Sequence, residues 1–251
     1  MKQKSDKSKL LEGRCLGTGS DYVGFIKANE ARSIGTACMI YDPIEDRTVD
    51  VLSMGEKEFF YIKRFQDDVE TIREQMAMAS QIIQEICEEH GFRKPTNVWT
   101  TDFLITYKDG SKVAYSIKSD RSEFDPDSDK NRNHPRKYNK LLIRQFVEKE
   151  YWERHGVEFR IVFRNELNRV LSGNIAICLS FYNPMYVTDA ESMMKCLIAH
   201  KVIRVPMDKE AVPFAKEVKG RETEIREIFE RWCNDEEYRV NEDFSRQHSH
   251  V

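Results

Sequence analysis

Two β-rich runs, VWTTDFLITY (98–107) and KVAYSIK (112–118), flank the tetrapeptide KDGS. Asp-Gly is strong two-residue turn chemistry, so residues 97–118 are predicted to form an antiparallel hairpin at the heart of a sheet. The flanking segments supply its neighbours. VETIREQ reads as a short strand and loop, and VEFRIVF as a further strand. SQIIQEICEEHGF is amphipathic, with Ile82, Ile83, Ile86 and Cys87 on one side and Gly91 as its stop. KYNKLLIRQFVEKEYWERHG is a long helix closed by Gly156. Thr36 to Val51 reads as another hairpin, turning through Pro43 to Arg47. The order predicts an α/β fold around a short sheet.

Three residues on this frame carry chemistry. Ser53 and Glu56 have the capping-box spacing S-x-x-E ahead of an apolar helical run. Glu56 therefore caps a helix, and a carboxylate in that first turn can also face a metal. Asp102 opens the first hairpin strand, while Lys118 closes the second. Glu on a helix, Asp at a strand start and x-x-Lys at a strand end is the layout of a metal-dependent phosphodiesterase. Hydrolysis of a phosphodiester needs an activated water, neutralised phosphate charge and a stabilised leaving oxygen. Mg²⁺ held by oxygen ligands supplies all three, and Mn²⁺ substitutes for it. Asp102 is the expected bridging ligand, Glu56 a second, and Ser116 and the Ile117 carbonyl the remaining positions. Ser116 and Lys118 share a strand face by alternation, so Lys118 is expected near the water and phosphate.

Bulk composition narrows the class. The 251 residues hold 40 Lys and Arg against 43 Asp and Glu, a net charge of −3, so a nucleic-acid site must be local or assisted by partners. The six cysteines are scattered without a CxxC pair, which fits reduced thiols in a cytoplasmic protein. No apolar stretch approaches the ~20 residues that span a bilayer, so no membrane role is expected. The opening GRCLGTGSDY carries Gly13, Gly17 and Gly19 but no following Lys-Ser/Thr, so it reads as an extended turn rather than a phosphate loop. Residues 119–136 are polar, hold two prolines and read as a long flexible loop. The basic residues Lys130, Arg132, Arg136, Lys137, Lys140 and Arg144 lead from it into the long helix and are the candidate DNA contacts.

From about Asn168 the pattern changes to helix, helix, strand (VIRVPMD) and a helix with Ile225, Ile228, Phe229 and Trp232 at helical spacing. The organisation expected is a basic tail (1–12), a nuclease domain (13–166), a small helical, winged-helix-like domain (167–240) and a tail (241–251) whose His248 and His250 are solvated.

The segments GRCLGTGSDY, DRTVDVLSMGEKEFF, VETIREQ, TTDFLITYKDG, SIK and EKEYWERHGVEFRIVF resemble, in order and spacing, the TnsA endonuclease subunits of heteromeric cut-and-paste transposases. The resemblance covers residues 12–165, with WTTDFL and EKEYW its most specific pieces. It implies a restriction-endonuclease-like core that cleaves the 5′ ends of a transposon with Mg²⁺. The implied partners are transposon-end DNA, a TnsB-like transposase cutting the 3′ ends and a TnsC-like AAA+ ATPase. Glu56, Asp102 and Lys118 match the family's catalytic positions. Ser116 stands where the family commonly carries Gln, with Asp120 or Glu123 as candidate compensating carboxylates and Glu148 as a surface glutamate. A catalytically impaired assembly or DNA-binding subunit is the alternative.

Overall fold

The computed structural model describes residues 4–31 and 36–235. They divide into two compact units: one runs to Gly17, from Asp21 to Ile40 and from Val49 to Leu167, and the other holds Thr18–Ser20, Tyr41–Thr48 and the chain from Asn168. In chain order, the residues up to Leu167 form helix α1 (Asp6–Leu11), strands β1 (Cys38–Asp42) and β2 (Arg47–Val51), helix α2 (Met54–Arg64), strand β3 (Val69–Ala77), helix α3 (Ser80–Glu89), strands β4 (Thr100–Tyr107) and β5 (Lys112–Lys118), helices α4 (Asp129–Asn133) and α5 (Pro135–Arg154), and strand β6 (Glu158–Phe163).

β1 and β2 pair with each other, while the main sheet has the order β3-β4-β5-β6. Its first two pairings are antiparallel and β5–β6 is parallel. A parallel neighbour requires a crossover, and α5 provides it. Alternation along the strands feeds two cores. Phe103, Ile105, Val113 and Tyr115 pack with Phe59 and Phe60 of α2. Leu104 and Ala114 pack with Ile83 and Ile86 of α3 and Val147, Tyr151 and Trp152 of α5. The first unit thus has helices on both faces of a mixed sheet, the α/β arrangement expected from its sequence.

Two segments are more structured than their polarity predicts. The lead-in to residue 12 holds α1, whose Lys9 is buried 4.9 Å from the Phe25 ring. Residues 119–136, expected as a flexible loop, contain a 3-10 turn at Arg121–Phe124 and α4, and α5 begins at Pro135. Asp120 caps the turn and Ser128 caps α4. The Asn131 amide then gathers the carbonyls of Ser122, Glu123 and Asp125 at 2.8–3.1 Å.

The glycine-rich opening lies along the free edge of β3. Phe25 N–H donates to the Gln75 carbonyl at 3.1 Å and the Tyr22 hydroxyl to that of Glu74 at 2.8 Å. Gly24 makes this approach possible, because a Cβ there would stand 3.0 Å from the Glu74 carbonyl oxygen.

In the second unit, helices α6 (Arg169–Leu179), α7 (Ala190–Ala199), α8 (Phe214–Val218) and α9 (Glu222–Asn234) bury Ile175, Met194, Leu197, Ile225 and Trp232. Asp189 and Ser192 form a capping box at the start of α7. His200 stacks between Tyr182 and Trp232, with ring centroids 4.0 and 4.4 Å away. The expected strand VIRVPMD is absent: residues 202–208 are irregular. Asn174 instead takes up the backbone around them, donating to the Met207 and Glu210 carbonyls at 2.8 Å and accepting from Val212 N–H at 3.0 Å. With no strand in residues 168–235, the β-wing of a winged helix is not present there. The tail at 241–251, with His248 and His250, lies outside the described residues.

Candidate active site

The start of α2 comes close to the end of β5. Gly55 allows it, since a Cβ at that position would meet the Ile117 side chain at 3.1 Å. This brings Glu56 inward, 6% exposed. Of the capping box predicted from Ser53 the N-cap half forms: Glu56 N–H donates to Ser53 Oγ at 3.1 Å, while the Glu56 carboxylate takes the Ser53 hydroxyl, which donates to Oε1 at 2.9 Å. Glu56 Oε2 accepts from Leu52 N–H at 2.9 Å and from Gln75 Nε2 at 3.1 Å.

Asp102 and the end of β5 meet one register step beyond the Phe103–Tyr115 pair. Ile117 N–H donates to Asp102 Oδ2 at 2.6 Å, and Ser116 Oγ lies 3.5 Å from the same oxygen, the limit of a hydrogen bond. Lys118 Nζ reaches Ser116 Oγ at 2.6 Å and the Ile117 carbonyl at 3.2 Å. Strand alternation thus brings Ser116 and Lys118 together as expected.

Glu148 is not on the surface, as its sequence context had implied. It is 1% exposed. Thr101 donates its hydroxyl to Glu148 Oε1 at 2.8 Å, and Trp152 Nε1 donates to Thr101 Oγ1 at 2.6 Å. Gln145 Nε2 lies 3.3 Å from Glu148 Oε2. The two specific motifs WTTDFL and EKEYW are therefore one hydrogen-bonded unit. The available signals were the tryptophan, whose N–H needs a partner when buried, and a glutamate one turn before it.

Burial pushes the Glu148 carboxyl up to about 7, and the charge of Asp102 adds to the effect. Burial and then Asp102 raise Glu56 well above the usual carboxylate range, against the lowering effect of the Leu52, Ser53 and Gln75 donors. Two protonation-prone carboxyls thus flank Asp102. Such a set, with a serine hydroxyl beside it, offers only hard oxygen donors and a surplus of negative charge. That is the chemistry a hard divalent cation satisfies.

The other candidates are placed elsewhere or are engaged. Asp120 accepts from Ser122 N–H at 2.7 Å and Glu123 from Ser119 N–H at 2.7 Å, both bonds holding the turn that follows β5. Lys130, Arg132, Arg136, Lys137 and Lys140 are exposed, with Arg132 paired to Asp129 at 2.9 Å. Arg144 differs from them: it donates to the Thr100 carbonyl at 3.0 Å and lies 5.1 Å from the Trp99 ring, holding the start of β4 rather than standing free for phosphate. A second acidic group, Glu89, His90 and Glu150, has its ligand atoms within 4.8 Å of one another. Arg154 already bridges its two glutamates.

Residues 66–163 match a sequence model of the family described as TnsA-like endonuclease N terminal. The matched segment contains Asp102, Ser116, Lys118 and Glu148 and begins after Glu56. The transposon Tn7 transposition protein TnsA of Escherichia coli is 27% identical over 172 residues, 66% of this chain. The alignment spans 59% of that relative's length. The chain is thus similar to a TnsA over 66% of its length, and its β3–β6 region matches the TnsA-like endonuclease N-terminal domain.

Proposed function

We propose that this chain is the endonuclease subunit of a heteromeric transposase and hydrolyses the 5′ ends of its element with Mg²⁺. One observation carries the reading: Asp102 is flanked by two buried carboxyls, Glu56 and Glu148, with the Lys118 ammonium on the adjoining strand end. When bound, Mg²⁺ would supply an activated water and neutralise charge on the phosphate. Glu56 and Asp102 would hold it, with Glu148, the Ser116 hydroxyl and the Ile117 carbonyl as neighbouring oxygens. Ile117 N–H fixes the Asp102 carboxylate. Lys118 keeps a positive charge beside it, where charge develops on the phosphate.

The exposed cations Lys130, Arg132, Arg136, Lys137 and Lys140 are the proposed contacts to the DNA backbone. A net charge of −3 leaves little general affinity for DNA, so a TnsB-like transposase would bring the element's end to this site under a TnsC-like AAA+ ATPase. No helix among the described residues is long and apolar enough to cross a membrane; the proposed place of action on DNA is the cytoplasm.

The test is nicking of a transposon-end duplex in the presence of the partner proteins and Mg²⁺. The wild-type chain is expected to cut the 5′ end and Asp102→Ala to leave it intact. Cutting by that variant, or cutting that persists in excess EDTA, overturns the proposal. One observation favours the alternative of a catalytically impaired assembly subunit: the Ser116 hydroxyl, at the position where the TnsA resemblance implies an amide, is already engaged by Lys118. A wild-type chain that assembles with its partners and never nicks would establish that reading.

A further inference from the structure

Gln75 lies in the middle of β3 with a φ of +47°, a left-handed conformation that non-glycine residues seldom adopt inside a strand. The pairing on either side stays in register, Glu74 opposite Phe103 and Met76 opposite Thr101, so Gln75 stands opposite Asp102. Its backbone is held in this conformation from outside, because its carbonyl accepts from Phe25 N–H at 3.1 Å. Its side chain is 1% exposed and engaged at both ends. Nε2 donates to Glu56 Oε2 at 3.1 Å, and Oε1 accepts from the Thr100 hydroxyl at 3.1 Å. Strain of this kind persists where the surroundings over-determine it and gathers at functional sites.

We propose that Gln75 is a positioning residue for the nuclease site: its amide fixes the Glu56 carboxylate so that one defined oxygen remains available to the divalent cation. A carboxylate oxygen has two lone-pair sites. Leu52 N–H and Gln75 Nε2 fill both on Oε2, whereas Oε1 accepts only from Ser53 and keeps one open. The strand opposite Asp102 thus orients the helix carboxylate across from it. The glycine-rich opening, which lacks a phosphate loop, acquires a role: it holds the backbone turn that points the amide inward. The inference rests on the nuclease reading for its cation and on the metal-free geometry for its mechanism.

The experiment compares Gln75→Ala, which keeps the backbone strain and removes the amide, with Gln75→Gly, which removes both. Mn²⁺ affinity is measured without DNA by calorimetry and by the electron paramagnetic resonance of the free ion, alongside melting temperature. Both variants are expected to bind Mn²⁺ about tenfold more weakly than wild type, with Gln75→Gly melting no lower than Gln75→Ala. Crystal structures of the two variants without metal are expected to show Glu56 in a changed or multiple orientation. Wild-type Mn²⁺ affinity in Gln75→Gly, or an unmoved Glu56 in both variants, overturns the inference. If the wild-type chain binds no Mn²⁺, the nuclease reading fails, and the metal-free structures still decide whether Gln75 sets Glu56.

Discussion

Lys118 Nζ donates to Ser116 Oγ at 2.6 Å, so the shortest side chain of the site is the one that anchors its ammonium group. Ser116→Ala leaves the amine only its 3.2 Å contact with the Ile117 carbonyl. Losing one charge-assisted hydrogen bond costs about 1.5 kcal/mol, roughly tenfold in rate. Single-turnover nicking by Ser116→Ala is expected to fall by about that factor. Ser116→Gln is expected to retain nicking and bind Mn²⁺ at least as tightly, and weaker binding would mean that the serine serves something other than the cation.

Lys118→Ala removes the positive charge itself. Nicking is expected to drop by about 10³ or more, in the range seen when a preorganised electrostatic stabiliser is lost. Lys118 is half-buried and at a strand end, so the melting temperature should move by only a few degrees. Wild-type cleavage by this variant would remove Lys118 from the reaction.

Protonation makes the metal-free fold sensitive to pH in an unusual direction. Glu148 holds its proton up to about 7 when folded, against 4.5 as its ordinary value. The native chain therefore binds more protons than the unfolded chain between those values, and stability falls as pH rises through that window. Glu56, also raised, acts in the same sense. The loss attributable to Glu148 is on the order of 3 kcal/mol. Cation binding needs deprotonated ligands, so stabilisation by Mg²⁺ should grow from pH 6 to pH 8. Calorimetric melting with and without Mg²⁺ measures both trends, and a metal-free melting point that climbs across the window contradicts them.

Glu148→Gln separates stability from chemistry. The substitution removes a buried charge next to Asp102 while preserving shape and the bond from Thr101. It also offers an N–H to the Gln145 amide, whose Oε1 is buried without a hydrogen bond. The variant should melt a few degrees higher than wild type at pH 8 and nick at least tenfold more slowly. A lower melting temperature would show that the carboxylate contributes to the fold.

Gly24→Ala tests the arm along β3. The added methyl would meet the Glu74 carbonyl at 3.0 Å and its Cγ at 3.2 Å. Overpacking of this kind costs about 1–3 kcal/mol. Chemical denaturation should show that loss, together with weaker Mn²⁺ binding if the arm holds Gln75. An unchanged midpoint would mean that the arm yields without disturbing the strand.

The hairpin that carries Asp102 and Lys118 was readable because its signals are local: a Asp-Gly turn, β-rich flanks and a register set by turn length. The same register places Asp102 beside Ser116. Glu56 was readable through its cap, since S-x-x-E is a contiguous pattern. Glu148 was not, because its burial depends on α5 packing across the sheet from 47 positions away in sequence, and a lone glutamate on an amphipathic helix gives no sign of it. The φ of Gln75 left no sequence mark either, being imposed by Phe25 from a separate segment. VIRVPMD shows the opposite failure. Its β-branched residues favour a strand only where a neighbouring strand exists, and here Asn174 occupies the surrounding backbone groups instead.

Helix α5 joins two kinds of residue on one stripe. Lys137, Arg144 and Glu148 lie seven and four positions apart, close to whole helical turns. At a rise of about 1.5 Å per residue, the eleven positions from Lys137 to Glu148 span about 16 Å. Trp152 and Thr101 lock the inner part of that stripe to the strand carrying Asp102. A phosphate held by Lys137 would therefore sit at a set distance from the carboxylates. On the proposed reading the helix would act as a ruler of about five base-pair steps, the length of chain between lysine and glutamate setting where a strand is cut.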